Sequence, residues 1–324
     1  MSKPKRHHQV PQFYLRGFAD RGNHVKVVRF GEAPAAYTTN VKNVAVEANF
    51  YRVDWLDAER ESLAEKLIGE IEQAAVAPLQ ALAQHEQLSV EQRYHVASWV
   101  VLQYLRGRGT RVDSVGLQKI MLRADLALGG KQRLASRLKL TDADAIEAAW
   151  DRIVVRGDLS DPPTARRNHL KTMFDGVTHM AAHYARAQWQ VVTFGRHRLF
   201  TSDQPVYLWR DRDDDSGVGM LTADRVSLPL NRTTGLAIYP KMQTGSTEFS
   251  QPSTLLYRSF AINAWAAAEE IVIMHPGDEL PDWLPATRPA HLGNLDLPDI
   301  QRFIDMGEQF RRRHQGGAKR DNGG

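Results

Sequence analysis

Apolar residues recur along this chain with two different periods, and the places where the period changes predict its organisation. From Asp57 to about His85, Leu63, Leu67, Ile68, Ile71, Leu79 and Leu82 return every three or four residues, the spacing of one helix face. Pro78 inside that stretch predicts a kink or a split, because proline removes a helix hydrogen bond and crowds the preceding turn. Ser89 and Gln92 make a capping-box start, and Val90 to Leu105 is apolar nearly all round, which predicts a central helix. Further helices are predicted from Leu117 to Leu128, from a Thr141 cap to about Val155, and from Thr164 to about Gln188. Elsewhere the pattern is extended: residues 24–30 and 37–46 before the helices, then 189–194, 198–202, 205–209, 226–230, 235–239 and 271–274 after them. A short helix from Tyr257 to Glu269 interrupts the second set, and an amphipathic helix is predicted from Asp299 to Arg313.

Strands at both chain ends with helices between them predict an α+β fold. A strand-rich layer (residues 6–56 and 189–275) encloses a central helical lobe (about 57–188) in one domain covering 1–313, with a disordered tail at 314–324. The run from Arg6 to Phe18 stands apart from an ordinary frayed terminus. Pro11 suits a first helical position, and Tyr14, Leu15 and Phe18 then share one face that predicts docking into a core and a border with a pocket. His7 and His8 stand directly before that turn.

Composition narrows the chemistry. The chain has 324 residues, 42% of them hydrophobic, and no cysteine, which removes disulfides, thiolate catalysis, iron–sulfur clusters and cysteine-ligated zinc. No apolar run reaches membrane-spanning length and no basic start is followed by an apolar leader, so the expectation is a cytoplasmic protein without a membrane partner. The net charge of +4 invites a nucleic-acid partner, but Lys3, Lys5 and Arg6 at one end and Arg311, Arg312, Arg313, Lys319 and Arg320 at the other more than account for it. The basic surplus is therefore expected in tails that are either solvated or touch phosphates.

His7, His8, Val10, Pro11, Gln12, Phe13, Tyr14, Leu15, Arg16 and Phe18 resemble the opening signature of the DUF4238 family, uncharacterised proteins found mostly in bacteria. Later stretches are similar to that family in the same order: Val41–Val44 leading to Glu47–Tyr51, then Gln103–Arg106, then Phe200–Val206, with Leu228–Leu230 and Asn263 beyond. Gly107–Arg108 and Asn231 depart from the family pattern. The resemblance covers roughly residues 6 to 275 and implies a shared fold rather than an activity.

Several side chains carry candidate chemistry, each with a plainer alternative. Glu47 is either a strand-end carboxylate paired with an arginine or an acid–base group or metal ligand. Arg106, with Arg108 and Arg111, either offsets a helix dipole or clamps a phosphate or carboxylate. His179 and His183 lie at i, i+4 on a predicted helix, within joint reach of a metal, but Met180 stands where a zincin has glutamate. The acidic run Asp211–Gly217 lacks the calcium-loop pattern. Ser202 and Asp203 sit in a tight turn between two extended runs. If both chain ends converge, His7, His8, Glu47 and Asp203 form a catalytic set, with Gln12, Tyr14, Arg16, Arg106, Ser202 and Asn263 as binding residues. Imidazole, carboxylate and guanidinium together suit a hydrolase or transferase acting on a phosphate-containing small molecule or nucleic acid, and a divalent metal is compatible with that set. The alternatives are a non-catalytic ligand- or nucleic-acid-binding pocket built from the same residues, and a buried hydrogen-bond network that fixes the fold. There is no Walker A loop, no serine-hydrolase elbow and no dinucleotide fingerprint.

Overall fold

The computed structural model of the protein describes residues 6–30, 35–48, 58–107, 126, 129–156, 165–211 and 218–285. The predicted helices at 117–128, apart from residue 126, and at 299–313 lie outside the described residues, as do Arg108, Arg111, most of the 211–217 run and the 314–324 tail. The chain falls into two compact units, Met1–Arg111 with Leu170–His291, and Val112–His169 with Leu292–Gly324. The stretch from 57 to 188 therefore divides between them.

In the first unit the element order is β1 (Arg6–His8), α1 (Gln12–Leu15) running into a 3-10 turn (Arg16–Phe18), β2 (His24–Arg29), β3 (Ala35–Asn40) and β4 (Val46–Ala48). Helices α2 (Ala58–Ala83) and α3 (Val90–Leu105) follow. In the second unit, α4 (129–138) and α5 (Ala143–Trp150) share a small core of Leu126, Leu134, Ala149, Ile153 and Val154. Asp142, not Thr141, caps α5 by accepting from the Ala145 N–H at 2.8 Å, and the helix ends in a π turn over Asp151–Val155. Helix α6 spans Ala165–Arg186. After it come β5 (Gln188–Thr193), β6 (Thr201–Ser202), β7 (Tyr207–Trp209), β8 (Arg225–Pro229), β9 (Thr234–Tyr239), β10 (Thr247–Ser250), α7 (Thr254–Ala267) and β11 (Ile271–Met274).

The fold is mixed α+β, as the alternation of periods predicts. One sheet runs β10-β5-β9-β8-β7, a second runs β3-β2-β11-β6, and β1 and β4 form a separate two-stranded ribbon. The second sheet pairs β2, from before the helices, with β11, from after them, so the two chain ends do converge. The central strands of both sheets are buried on two faces. Val25, Val27, Ile271 and Ile273 join Trp189, Val191, Leu236 and Ile238 in a large core with α1, α2, α3 and α6. The alternate positions Val272, Met274, Val192 and Ala237 join a second core under α7. This two-residue alternation is the strand pleat read out as packing, and burying each large apolar side chain contributes about 1.5–3 kcal/mol.

Helix α3 is central, as its all-round apolarity predicts: Ser89 and Gln92 form the capping box, and residues 96–103 are buried without interruption. Arg93 near its start is only 5% exposed and faces no carboxylate among the described residues. Its guanidinium lies 4.1 Å over the Trp189 ring and donates to the Ala185 and Ala187 carbonyls, which the end of α6 leaves without helical partners. Burial pulls that guanidinium down to about 10. Helix α2 differs from expectation, since it runs through Pro78 as one element. Pro78 is itself buried, and Ala75, Leu79 and Leu82 around it are held in the main core, which offsets the lost backbone bond.

Candidate functional site

The N-terminal turn is anchored as its aromatic face predicts, one residue out of phase. Pro11 is the N-cap rather than the first helical residue. Leu15 and Phe18 are fully buried, and Tyr14 packs 5.3 Å from the Trp99 ring of α3. The Tyr14 hydroxyl donates to the Pro229 carbonyl at 2.7 Å and lies 2.9 Å from the Thr201 hydroxyl, tying α1 to β8 and β6. Burial pushes its phenol pKa up, so the group stays protonated. Tyr14 was expected at a ligand; its polar atom is committed to the fold.

His8 is half-buried at the end of β1. Its Nε2 accepts from the Gln12 side-chain amide at 2.9 Å, and its Nδ1 lies 3.3 Å from the Val44 carbonyl, to which it donates. That pair of partners has Nδ1 as the donor and Nε2 as the acceptor. Gln12 thus orients the imidazole. His7 stands opposite Glu47 in the backbone register of the β1–β4 ribbon.

Beside this ribbon lies a pocket of about 300 Å³. Arg29, Tyr37 and Ile271 share its floor, because Ile271 pairs with Arg29, Tyr37 pairs with Val27, and directly paired side chains point to one face of a sheet. Gln9, the 43–46 turn, Asp203 and Glu270 complete the wall. The turn is tightly folded: Ala45 takes a left-handed φ of 49°, held by the Gln9 N–H donating to its carbonyl at 2.8 Å. A non-glycine residue costs about 1 kcal/mol in that conformation.

Asp203 follows β6 and is 8% exposed. Its Oδ1 accepts from the Glu269 N–H at 2.8 Å, and its Oδ2 accepts from the N–H groups of Glu270 at 2.7 Å and Ile271 at 3.3 Å. Burial is the largest influence on its acidity and pushes the carboxyl up to about 7; the backbone donors pull against it and the Glu269 charge adds to it. A protonatable group poised near neutrality on a pocket wall is the feature with most chemical potential here.

A family model described as a protein of unknown function (DUF4238) matches residues 6–277. The chain belongs to the DUF4238 family. No curated protein and no solved structure matches it. Every residue lining the pocket lies inside the matched span of this DUF4238 chain.

The remaining expected residues do not line the pocket. Arg106 is 1% exposed; its Nη1 pairs with Glu72 at 2.5 Å and its Nε donates to the Gln103 side-chain oxygen at 3.0 Å. Gln103 in turn donates to the Gln9 carbonyl at 3.0 Å, so Arg106 braces the pocket wall from behind rather than clamping an anion. Ser202 is fully buried and exchanges hydrogen bonds with the Gln204 backbone, donating to its carbonyl at 2.8 Å and accepting from its N–H at 3.1 Å. That serine turn is what aims Asp203. The Gln204 side chain donates to Glu269 at 2.8 Å and fills the space beside Gly107, where an added Cβ would meet it at 1.9 Å.

Asn263 on α7 donates to the Ser227 hydroxyl at 2.8 Å and is buried against β8, away from the pocket lining. Arg16 is exposed and does not line the pocket. The described residues hold no group of three or more histidine, aspartate or glutamate ligands for a metal ion, His179 and His183 included.

Sequence reasoning missed Gln9, Arg29, Tyr37, Asn43 and Glu270. Arg29 had a legible signal: it continues the Val25, Val27 register of β2, placing a cation where the strand faces the core. Gln9 and Asn43 lie inside the stretches that carry the family resemblance. Glu270 had none, since a carboxylate between a helix and a strand reads as a solvated turn.

Proposed function

We propose that the pocket is the functional site of this DUF4238 chain, with Asp203 as acid–base group of a hydrolase or transferase that acts on a small polar substrate. The observation that carries this reading is a buried carboxyl, poised near pH 7, on the wall of a 300 Å³ cavity. A group that exchanges its proton near neutrality can accept one from an attacking hydroxyl and return it to a leaving group. Arg29, on the floor, is the guanidinium available to a phosphate or carboxylate, because Arg106 is committed to Glu72. Two carboxylates against one guanidinium favour a substrate that offers hydroxyl or amino donors beside its anionic group, such as a phosphosugar or a nucleotide. A non-catalytic binding pocket is the second reading, favoured by the engagement of both ring nitrogens of His8 and both oxygens of Asp203.

The test is turnover and binding on a panel of phosphomonoesters, phosphodiesters, sugars and nucleotides, with and without magnesium or manganese. Catalysis by Asp203 as base predicts a rate that rises through about pH 7 and falls about 100-fold or more in Asp203→Asn. Binding without turnover selects the second reading. Neither binding nor turnover, with the pocket variants Arg29→Gln and Tyr37→Phe behaving as the parent throughout, removes both.

A further inference from the structure

The second core opens at one end onto a surface where cations and aromatic rings alternate. The turn between β5 and β6 carries Arg196, His197 and Arg198; the first turns of α7 carry Tyr257 and Arg258; the segment after β11 carries Trp283. His197, Tyr257, Trp283 and Arg258 form one run of contacts, and Arg196 and Arg198 flank His197 in its turn. The His197 ring stacks on Tyr257 at 4.1 Å with 9° between planes, Tyr257 meets the Trp283 ring edge-on at 6.0 Å, and the Arg258 guanidinium lies 5.3 Å from the Trp283 centroid. Arg198 donates to the Gly195 carbonyl at 3.1 Å, which holds the turn in shape. Trp283 keeps 37% of its surface exposed although a large aromatic gains by burial.

The charge balance at this surface is one-sided. Asp278 is taken up by a two-toothed pair with Arg232, and Glu279 by Lys26, at 2.6 Å. Arg196, Arg198 and Arg258 have no carboxylate partner among the described residues, which leaves Asp282 as the nearby acid. Three guanidinium groups without a carboxylate partner among the described residues, together with the exposed Trp283 indole and the half-buried His197 ring, offer phosphate contacts and a base-stacking face. A duplex hides its base faces, so the partner these groups suit is unpaired.

We propose that the Arg196–Arg198 turn, Arg258 and Trp283 form a binding surface for single-stranded nucleic acid, separate from the pocket at Asp203. The charge that meets phosphates then lies on the folded body, not solely in the basic chain ends. Trp283 stacks a base while the arginines track the backbone, without sequence preference.

The experiment is fluorescence anisotropy of the full chain with labelled 15-mers of single-stranded DNA and RNA, and with a duplex of the same length, from 20 to 200 mM salt. Single strands should bind more tightly than duplex, with affinity falling steeply as salt rises. Trp283→Leu keeps apolar cover over Tyr257 and should weaken binding about tenfold. The exposed pair Arg196→Gln with Arg258→Gln should weaken it further and flatten the salt dependence, with melting temperature unchanged. A variant with Arg311, Arg312, Arg313, Lys319 and Arg320 all changed to Gln should keep most of the affinity. The proposal is overturned if the parent binds no single strand at 20 mM salt, if duplex binds as well, or if the tail variant loses binding while the patch variants retain it.

Discussion

Two polar regions lie back to back around Gln9, and they differ in where their hydrogen bonds go. Behind the pocket, Tyr14, Gln103, Arg106 and Ser202 are buried and send their polar atoms to other parts of the chain. On the pocket side, Arg29, Tyr37 and Asp203 border open volume. The first region is the signature of groups whose desolvation must be repaid within the fold; the second is where a ligand can supply the partner. Residue type does not separate the two. An arginine and a tyrosine occur in each.

The contrast predicts unequal mutational effects. Arg106→Ala leaves Glu72 without its cation and Gln103 without a donor, and should cost about 3 kcal/mol in chemical denaturation. Tyr14→Phe removes one hydroxyl that serves Pro229 and Thr201, and should cost about 1–2 kcal/mol. A loss of under 0.5 kcal/mol in either would mean that the inner network is not holding α1 in place.

Asp203 belongs to both regions, and pH separates its roles. Its folded-state pKa of about 7 lies above the ordinary aspartate value of 3.8, so the folded protein holds the extra proton between those limits. Its contribution to stability is complete below about pH 4 and is lost as pH rises toward 7, by at most about 1.4 kcal/mol per pH unit. Denaturation midpoints of parent and Asp203→Asn from pH 4 to 8 check this: the parent should carry that slope and the variant should lack it. Equal slopes would place the titration elsewhere. Smallest of all, Arg29→Gln and Tyr37→Phe should each change stability by about 0.5 kcal/mol or less, since neither group is enclosed by the core.

Much of the fold was legible in the sequence because hydrophobic period survives without tertiary knowledge. The capping box at Ser89, the all-round apolarity of α3 and the alternation in β2 and β11 each encode a local physical preference. β10 was not, since Thr247–Ser250 has no clear alternation and earns its place by pairing in parallel with β5. The site was legible in part. Asp203, which lines the pocket, stands out in the sequence because an aspartate in a tight turn between two apolar runs has few places to go. Arg106 and Asn263 were assigned to the ligand because sequence reveals that a polar group interrupts an apolar stretch, but not which partner answers it. Glu72 lies 34 residues from Arg106, and Ser227 lies 36 from Asn263.

The pocket, not the network behind it, is the proposed meeting place with the ligand. The most direct test of that proposal pairs a melt with a binding isotherm for the double variant Arg29→Gln, Tyr37→Phe, using the tightest compound found in the panel. The double variant should melt within about 2 °C of the parent and lose binding by about tenfold or more, from two removed polar contacts. Binding that survives the double variant unchanged would contradict the proposal.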